Sequence, residues 1–200
     1  MDRGRLEAFS DGVFAVAITL LALNLFVGGP GHGSLLTQLA DHWPAFVAFL
    51  ISFFTIGVIW VNHHALMNNV ATVDRTLLFA NLVLLLFVVL IPFVTGTMAP
   101  YLTAGDQDAH VSMALFAAVF EGMGLSFAAM FAWTLGGEGR TVRPVPREAQ
   151  VAAVLRFSPG VAAYLVAIAV SFVSAPAALA IVGLAAVYYI FERTPQSLAG

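Results

Sequence analysis

The sequence predicts an all-α integral membrane protein with six transmembrane helices. First, 60% of its 200 residues are hydrophobic, only 10% are charged, and the mean hydropathy is +0.94; a soluble domain is nearer half apolar and a quarter charged. Second, the chain has six apolar segments close to the roughly 20 residues that a helix needs to cross a bilayer. Third, its basic residues all fall on one side of a six-span arrangement.

The six apolar segments organise residues 1–200 as a single membrane domain. Runs of Leu, Val, Ala and Phe fill them without the alternation of a transmembrane β-strand, so we interpret them as helices. Between the first two, Ser34 is a candidate N-cap of a short amphipathic helix that ends near Pro44. The segments are 8–27, 44–64, 77–98, 110–135, 150–173 and 177–192.

The eight basic residues are all arginines. They occur before segment one, after segments two and four, near the start of segment five and after segment six, whereas the connectors 28–43 and 99–109 contain none. Because positive charge is retained on the inner side, both termini are expected in the cytoplasm. The arginines are Arg3, Arg5, Arg75, Arg140, Arg143, Arg147, Arg156 and Arg193.

Segment one could also be a signal peptide, because arginines precede its apolar run. Ser10 and Asp11 interrupt the start of that run, however, and no small-x-small cleavage site follows Leu25. We therefore expect the segment to be retained as the first helix.

The first helix carries two different faces. At about 100° per residue, Val16, Thr19, Leu20 and Leu23 fall in a stripe about 100° wide, and Asp11 lies roughly 130° from its centre. Packing against another helix is one explanation of the stripe, although contacts in lipid favour small residues. The other is a narrow pore, in which aliphatic rings form a constriction and a hydroxyl replaces part of an ion's hydration shell.

Asp11 is costly inside a membrane and needs partners. Because segment two runs in the opposite direction to segment one, its end "WVNHH" lies at the depth of Arg5 and Asp11. A polar cluster between the two segments is expected to hold the first helix in one orientation. Its candidate members in segment two are Trp60, Asn62, His63 and His64.

Arg5, Phe9, Ser10 and Asp11 form an R-x-x-x-F-S-D signature. With "WVNHH", it resembles the bacterial branch of the transmembrane protein 175 family, potassium channels of endosomes and lysosomes and their prokaryotic relatives. The resemblance implies six helices in each subunit and four subunits around a pore lined by the first helix. The family lacks the usual potassium filter, and this sequence likewise has no T-V-G-Y-G string.

The resemblance also implies residue roles and an activity. Val16 takes the constriction position, where the family more often has Leu or Ile, followed by Thr19, Leu20 and Leu23. Arg5 and Asp11 would pack with Trp60 and with His63 or His64. The implied activity is a homotetrameric, potassium-permeable cation channel of the bacterial inner membrane, with modest potassium-over-sodium selectivity, K⁺ as permeant ion, no cofactor and no soluble or nucleic-acid partner.

A second hypothesis rests on Glu121, the other membrane carboxylate. An intramembrane acid is a candidate functional site, and Gly122 and Gly124 could break its helix as transporter sites do. The protein would then be a small proton-coupled secondary transporter. The alternative role for Glu121 is a hydrogen bond within the bundle or between subunits.

The sequence gives little support for an enzymatic function. His63, His64 and Asp11 suggest a metal site, but adjacent helical residues point about 100° apart, so the pair offers one ligand at most. Ser10 with a histidine and Asp11 suggests a hydrolase, yet no nucleophile-elbow pattern is present. The absence of cysteine excludes disulfides and thiolate chemistry, and the few scattered arginines do not indicate nucleic-acid binding.

Overall fold

A computed structural model describes residues 2–137 and 139–191, which form a helical bundle. Five of its helices are long and apolar enough to cross a membrane, and the last helix is shorter, at 17 residues. Each of the six predicted segments coincides with one of these six helices. The helices of the described residues are α1 (Arg3–Leu21), α2 (Leu35–Asp41), α3 (Trp43–Asn69), α4 (Arg75–Tyr101), α5 (Gln107–Leu135), α6 (Arg147–Ser171) and α7 (Ala175–Phe191).

The short helix predicted between the first two segments is α2. The Ser34 hydroxyl accepts a hydrogen bond from the Thr37 main-chain N–H at 3.2 Å, which caps its first turn. Gln38 is buried and bonds the main chain of Gly29 and Gly33. Both glycines have positive φ angles, so this side chain holds the tight loop between α1 and α2.

The helix ends differ from the apolar windows because polar residues extend and cap the helices. α1 begins at Arg3 rather than at residue 8 and ends at Leu21, followed by a single 3₁₀ turn over 22–24. Asp74 accepts from the Leu77 N–H at 2.8 Å at the start of α4, and Asp106 does the same for α5. A hydropathy pattern does not register such capping residues.

The arginine-bearing connectors meet at one end of the bundle. The Ala71 N–H donates to the Arg140 carbonyl at 2.8 Å, and the Val142 N–H donates to the Asn69 carbonyl at 2.9 Å. Arg3 donates to the Asn68 carbonyl at the end of α3. The start of α1 and the connectors after α3 and α5 are thus neighbours. Arg193 and the side chain of Arg156 lie outside the described residues.

Helix α4 lies at the centre of the packing, between α1, α3 and α5. Its buried face includes Leu84, Val88 and Ile91, and aromatic residues of α5 such as Phe116 and Phe120 are fully enclosed. α6 packs on α5, and α7 packs on α6, α3 and α5. α1 is therefore a peripheral helix of the subunit, with one face on α3 and α4 and the other open.

Candidate pore helix and its polar anchors

The buried face of α1 recurs every three or four residues, as expected for an amphipathic helix. The stripe identified in the sequence is exposed, with Val16 and Leu20 on α1 exposed by 57% and 41% and Leu23, in the 3₁₀ turn after α1, by 75%. Thr19 is also exposed. The buried residues are Leu6, Ser10, Phe14, Ala17 and Leu21.

Thr19 lies within this exposed face, and its hydroxyl donates to the Val16 carbonyl at 2.8 Å. The hydroxyl proton is therefore used inside the helix, while the oxygen of this exposed side chain keeps its capacity to accept. An oxygen with free lone pairs is a ligand for a cation that has lost part of its hydration shell.

Beneath the exposed face, a buried hydrogen-bond chain joins three helices. The Ser10 hydroxyl donates to the Leu6 carbonyl at 2.9 Å and accepts from the Asn81 amide nitrogen at 3.0 Å. The Asn81 amide oxygen in turn lies 2.8 Å from His63 Nε2. Ser10, Asn81 and His63 are all fully buried, so the chain links α1, α4 and α3 in the bundle interior.

This hydrogen-bond chain determines which ring nitrogen of His63 carries the proton. An amide oxygen can only accept, so Nε2 of His63 must be the donor. His63 Nδ1 is buried and has no hydrogen-bond partner among the described residues. A neutral imidazole with its proton on Nε2 satisfies the bond to Asn81 without burying a charge.

A second set of contacts follows the edge between α1 and α3. Trp60 Nε1 donates to Asp11 Oδ1 at 2.9 Å, and Glu7 Oε1 lies 2.7 Å from His64 Nδ1. One turn further, Arg3 reaches the carbonyl of Asn68. Each step of four residues along α1 is matched by a step of four residues back along α3, as expected for antiparallel helices in contact.

The predicted members of the polar cluster are distributed over separate contacts. Within the described residues, Arg5 has no ion pair with Asp11, because six residues separate them and their side chains point about 120° apart. Phe9 is half exposed. The Asn62 amide donates to the Val58 carbonyl of its own helix. The two histidines separate, with His63 in the buried chain and His64 paired to Glu7.

The far end of α1 is held on α4. The Asn24 amide donates to the Pro92 carbonyl at 2.9 Å. Gly96 lies beside the Asn24 side chain, and a Cβ at that position would collide with the amide. The absent side chain at Gly96 therefore lets the 3₁₀ turn after α1 approach α4 closely.

Among the residues of these contacts that sequence reasoning missed, Glu7 and Asn81 carry a signal that could have found them. Asn81 is the only amide in the apolar segment 77–98, and such an isolated polar side chain in lipid indicates a partner. Glu7 lies four residues before Asp11, and His64 four residues after Trp60. Matching the two four-residue steps identifies the Glu7–His64 pair.

Glu121 is 5% exposed, and neither carboxylate oxygen has a hydrogen-bond partner within the described residues. α5 is not broken at Gly122 or Gly124, so the transporter-like break expected there is wrong. Gly122 instead makes room for the ring of Phe87 on α4. No three His, Asp or Glu side chains of the described residues could together hold a metal ion.

Comparison with known proteins decides the family. The family model described as endosomal/lysosomal potassium channel TMEM175 matches residues 5–92. A potassium channel of Streptomyces collinus is 43% identical over 196 residues, which cover 97% of this chain and 94% of that protein. The chain belongs to the TMEM175 family. The residues matched by the family model include the α1 stripe and the polar contacts of Glu7, Ser10 and Asp11 with α3 and α4.

A further relative and a solved structure are similar to this TMEM175-family protein over nearly its whole length. A potassium channel of Chamaesiphon minutus is 36% identical and covers 94% of this chain and 93% of its own length. The crystal structure of a lysosomal potassium-selective channel TMEM175 homologue from Chamaesiphon minutus superposes with a TM-score of 0.81 at 35% identity, covering 94% and 96% of the two chains. This protein is thus a multi-pass membrane protein of a family of ion channels, not enzymes.

Proposed function

We propose that this chain forms a homotetrameric, potassium-permeable cation channel whose pore is lined by α1. The observation that carries the proposal is an exposed stripe along α1, whose opposite face is buried, and the 3₁₀ turn after it; the stripe consists of Val16, Thr19, Leu20 and Leu23. The names of the relatives as potassium channels support it. Four copies of α1 around one axis would cover this stripe and leave an aliphatic conduit.

The stripe has the chemistry of a gate without a carbonyl filter. A ring of Val16 side chains would repel water at the narrowest point, and rings of Leu20 and Leu23 would extend the constriction. A ring of Thr19 oxygens, about one helical turn from the Val16 ring, would coordinate a partly dehydrated ion. Because these ligands are neutral and few, the preference for potassium over sodium is expected to be modest.

The polar contacts on the other side of α1 are proposed to hold the pore face in position. The buried chain through Ser10, Asn81 and His63 and the edge bonds of Asp11 and Glu7 attach α1 to two neighbouring helices. Rotating α1 would break them. Asp11 would then be an anchor of the pore helix rather than an ion ligand.

The proposed topology has six spans and both termini in the cytoplasm of a bacterial cell, with the channel in the inner membrane. Contacts between three arginine-bearing regions support this topology: the start of α1 at Arg3, the α3–α4 connector and the α5–α6 connector. Their arginines therefore lie on one side of the membrane, as expected for the cytoplasmic side. α7, although short, would be the sixth span.

Potassium flux through liposomes containing the purified protein tests the proposal. We expect passive flux that follows the potassium gradient and needs no pH gradient. Uptake that requires a pH gradient, shows a fixed proton stoichiometry and is lost in Glu121→Gln would instead support the secondary transporter. The unpaired, buried carboxylate of Glu121 is the observation that favours this second candidate.

A further inference from the structure

A long groove lies between α5 and α6, on the side of the subunit away from α1. Its volume is about 720 Å³, within the range of sites that bind small molecules. Its lining is apolar along most of its length and polar at one end. Its lining includes Ala128, Ala132, Arg147, Gln150, Val154, Ser158, Ala162 and Leu165.

The polar end of the groove is formed by Arg147 and Gln150 at the start of α6. The Gln150 amide donates to the Val145 carbonyl and is thereby held against the preceding loop. Arg147 is exposed and has no hydrogen-bond or ion-pair partner among the described residues. Arg3 and Arg140, by contrast, donate to carbonyls at the ends of α3 and α5.

The groove is long enough to hold a lipid chain. From Arg147 to Leu165, α6 rises about 27 Å at 1.5 Å per residue, against roughly 30 Å for the hydrocarbon of a whole bilayer. An acyl chain of one leaflet therefore fits along it. The small side chains of Ala128, Ala132, Ser158 and Ala162 make the surface concave instead of flat.

We propose that this groove binds an anionic phospholipid of the cytoplasmic leaflet, with the phosphate at Arg147 and an acyl chain along α6 toward Leu165. At a membrane surface the exposed charge of Arg147 attracts an anionic headgroup, an attraction that an apolar helix of a second subunit would not supply. The choice of leaflet rests on the proposed topology, in which the Arg147 end is cytoplasmic. The binding itself does not require ion flux.

Native mass spectrometry of the purified protein with phosphatidylglycerol or phosphatidylcholine tests this. The two lipids share a phosphate and acyl chains but differ in net charge. We expect about a fivefold preference for phosphatidylglycerol, the contribution of one arginine at a membrane surface. Arg147→Gln should abolish the preference, and Arg143→Gln, an exposed arginine outside the groove lining, should retain it. Equal binding of the two lipids by the unchanged protein, or loss of the phosphatidylglycerol preference in both variants, would overturn the proposal.

A second pair of variants tests the acyl part. Ala162→Trp should fill the groove and weaken retention of both lipids, whereas Val166→Trp, which is exposed on α6 outside the groove lining, should not. Inorganic phosphate alone should not displace the lipid. Displacement by phosphate would mean that the site recognises only the phosphate group and would refute the acyl part of the proposal.

A cysteine variant tests whether a second subunit occupies the groove instead. The chain has no cysteine, so Val154→Cys introduces a single thiol into the groove. A disulfide between subunits at this position would show that another copy occupies the groove and would refute the lipid proposal. Channel flux is a separate readout, so its loss leaves these results interpretable.

Discussion

Glu7 Oε1 lies 2.7 Å from His64 Nδ1, one helical turn from the hydrogen bond between Asp11 and Trp60. The His64 side chain is about half exposed, so the pair contributes little to stability by itself. Its importance is positional, because the two contacts hold α1 and α3 in a single register. The exposed stripe that begins at Val16 is thereby turned away from α3.

Replacing Asp11 by Ala should impair folding or assembly more than ion selectivity. The change leaves Trp60 Nε1 without its acceptor and frees the edge of α1. Asp11→Asn retains an acceptor oxygen and should be milder. Size-exclusion chromatography of detergent-solubilised protein and liposome flux separate the effects. A normal assembly with altered selectivity alone would place the carboxylate in the pore.

Asn81→Ala should destabilise the subunit by roughly 1–3 kcal/mol, because it leaves a buried His63 N–H without an acceptor. Thr97→Ala on the same helix is the matched control, since Thr97 is partly exposed and, within the described residues, its hydroxyl donates to the Phe93 carbonyl of α4 itself. Thermal unfolding in detergent compares the two variants. Equal midpoints would mean that the buried chain does not contribute to stability.

Val16→Ala and, more strongly, Val16→Gly should raise potassium conductance or lower selectivity, because each removes aliphatic bulk from the proposed constriction. Val89→Ala is a suitable control, as Val89 is similarly exposed but lies on α4. Single-channel recording in planar bilayers gives the comparison. An unchanged current in both Val16 variants would argue that the constriction lies elsewhere.

Thr19→Val should reduce the preference for potassium over sodium while leaving the fold intact, because valine matches the shape of threonine but offers no oxygen. Thr19→Ser keeps the oxygen and should retain the preference. Reversal potentials under bi-ionic conditions measure it. If the valine variant kept the selectivity of the parent protein, the Thr19 oxygen would have no role in selecting the ion.

Gly96→Ala should loosen the far end of α1, since the added methyl group collides with the Asn24 amide. Asn24→Ala removes that amide, so the double variant should be no less stable than Asn24→Ala alone. A double-mutant cycle of thermal unfolding tests this coupling. Additive effects of the two changes would contradict the close contact between the 3₁₀ turn and α4.

Much of the fold followed from local patterns. The six apolar segments coincide with helices because hydropathy and length act within one stretch of chain. The Ser34 cap and the short α2 were predicted for the same reason. The helix ends were predicted less accurately. α1 starts in the polar stretch after Asp2, and α3 continues to Asn69, beyond the predicted apolar segment 44–64.

The sequence by itself determined the membrane character of the chain, its helices, the two-faced character of α1 and the family signature, since each depends on composition or on spacing along one helix. Only the tertiary structure decided that His63 joins Asn81 while His64 joins Glu7, and that Arg5 and Asp11 do not pair within the subunit. The physical reason is that contacts between helices depend on the rotation and register of both partners, which packing of the whole bundle sets.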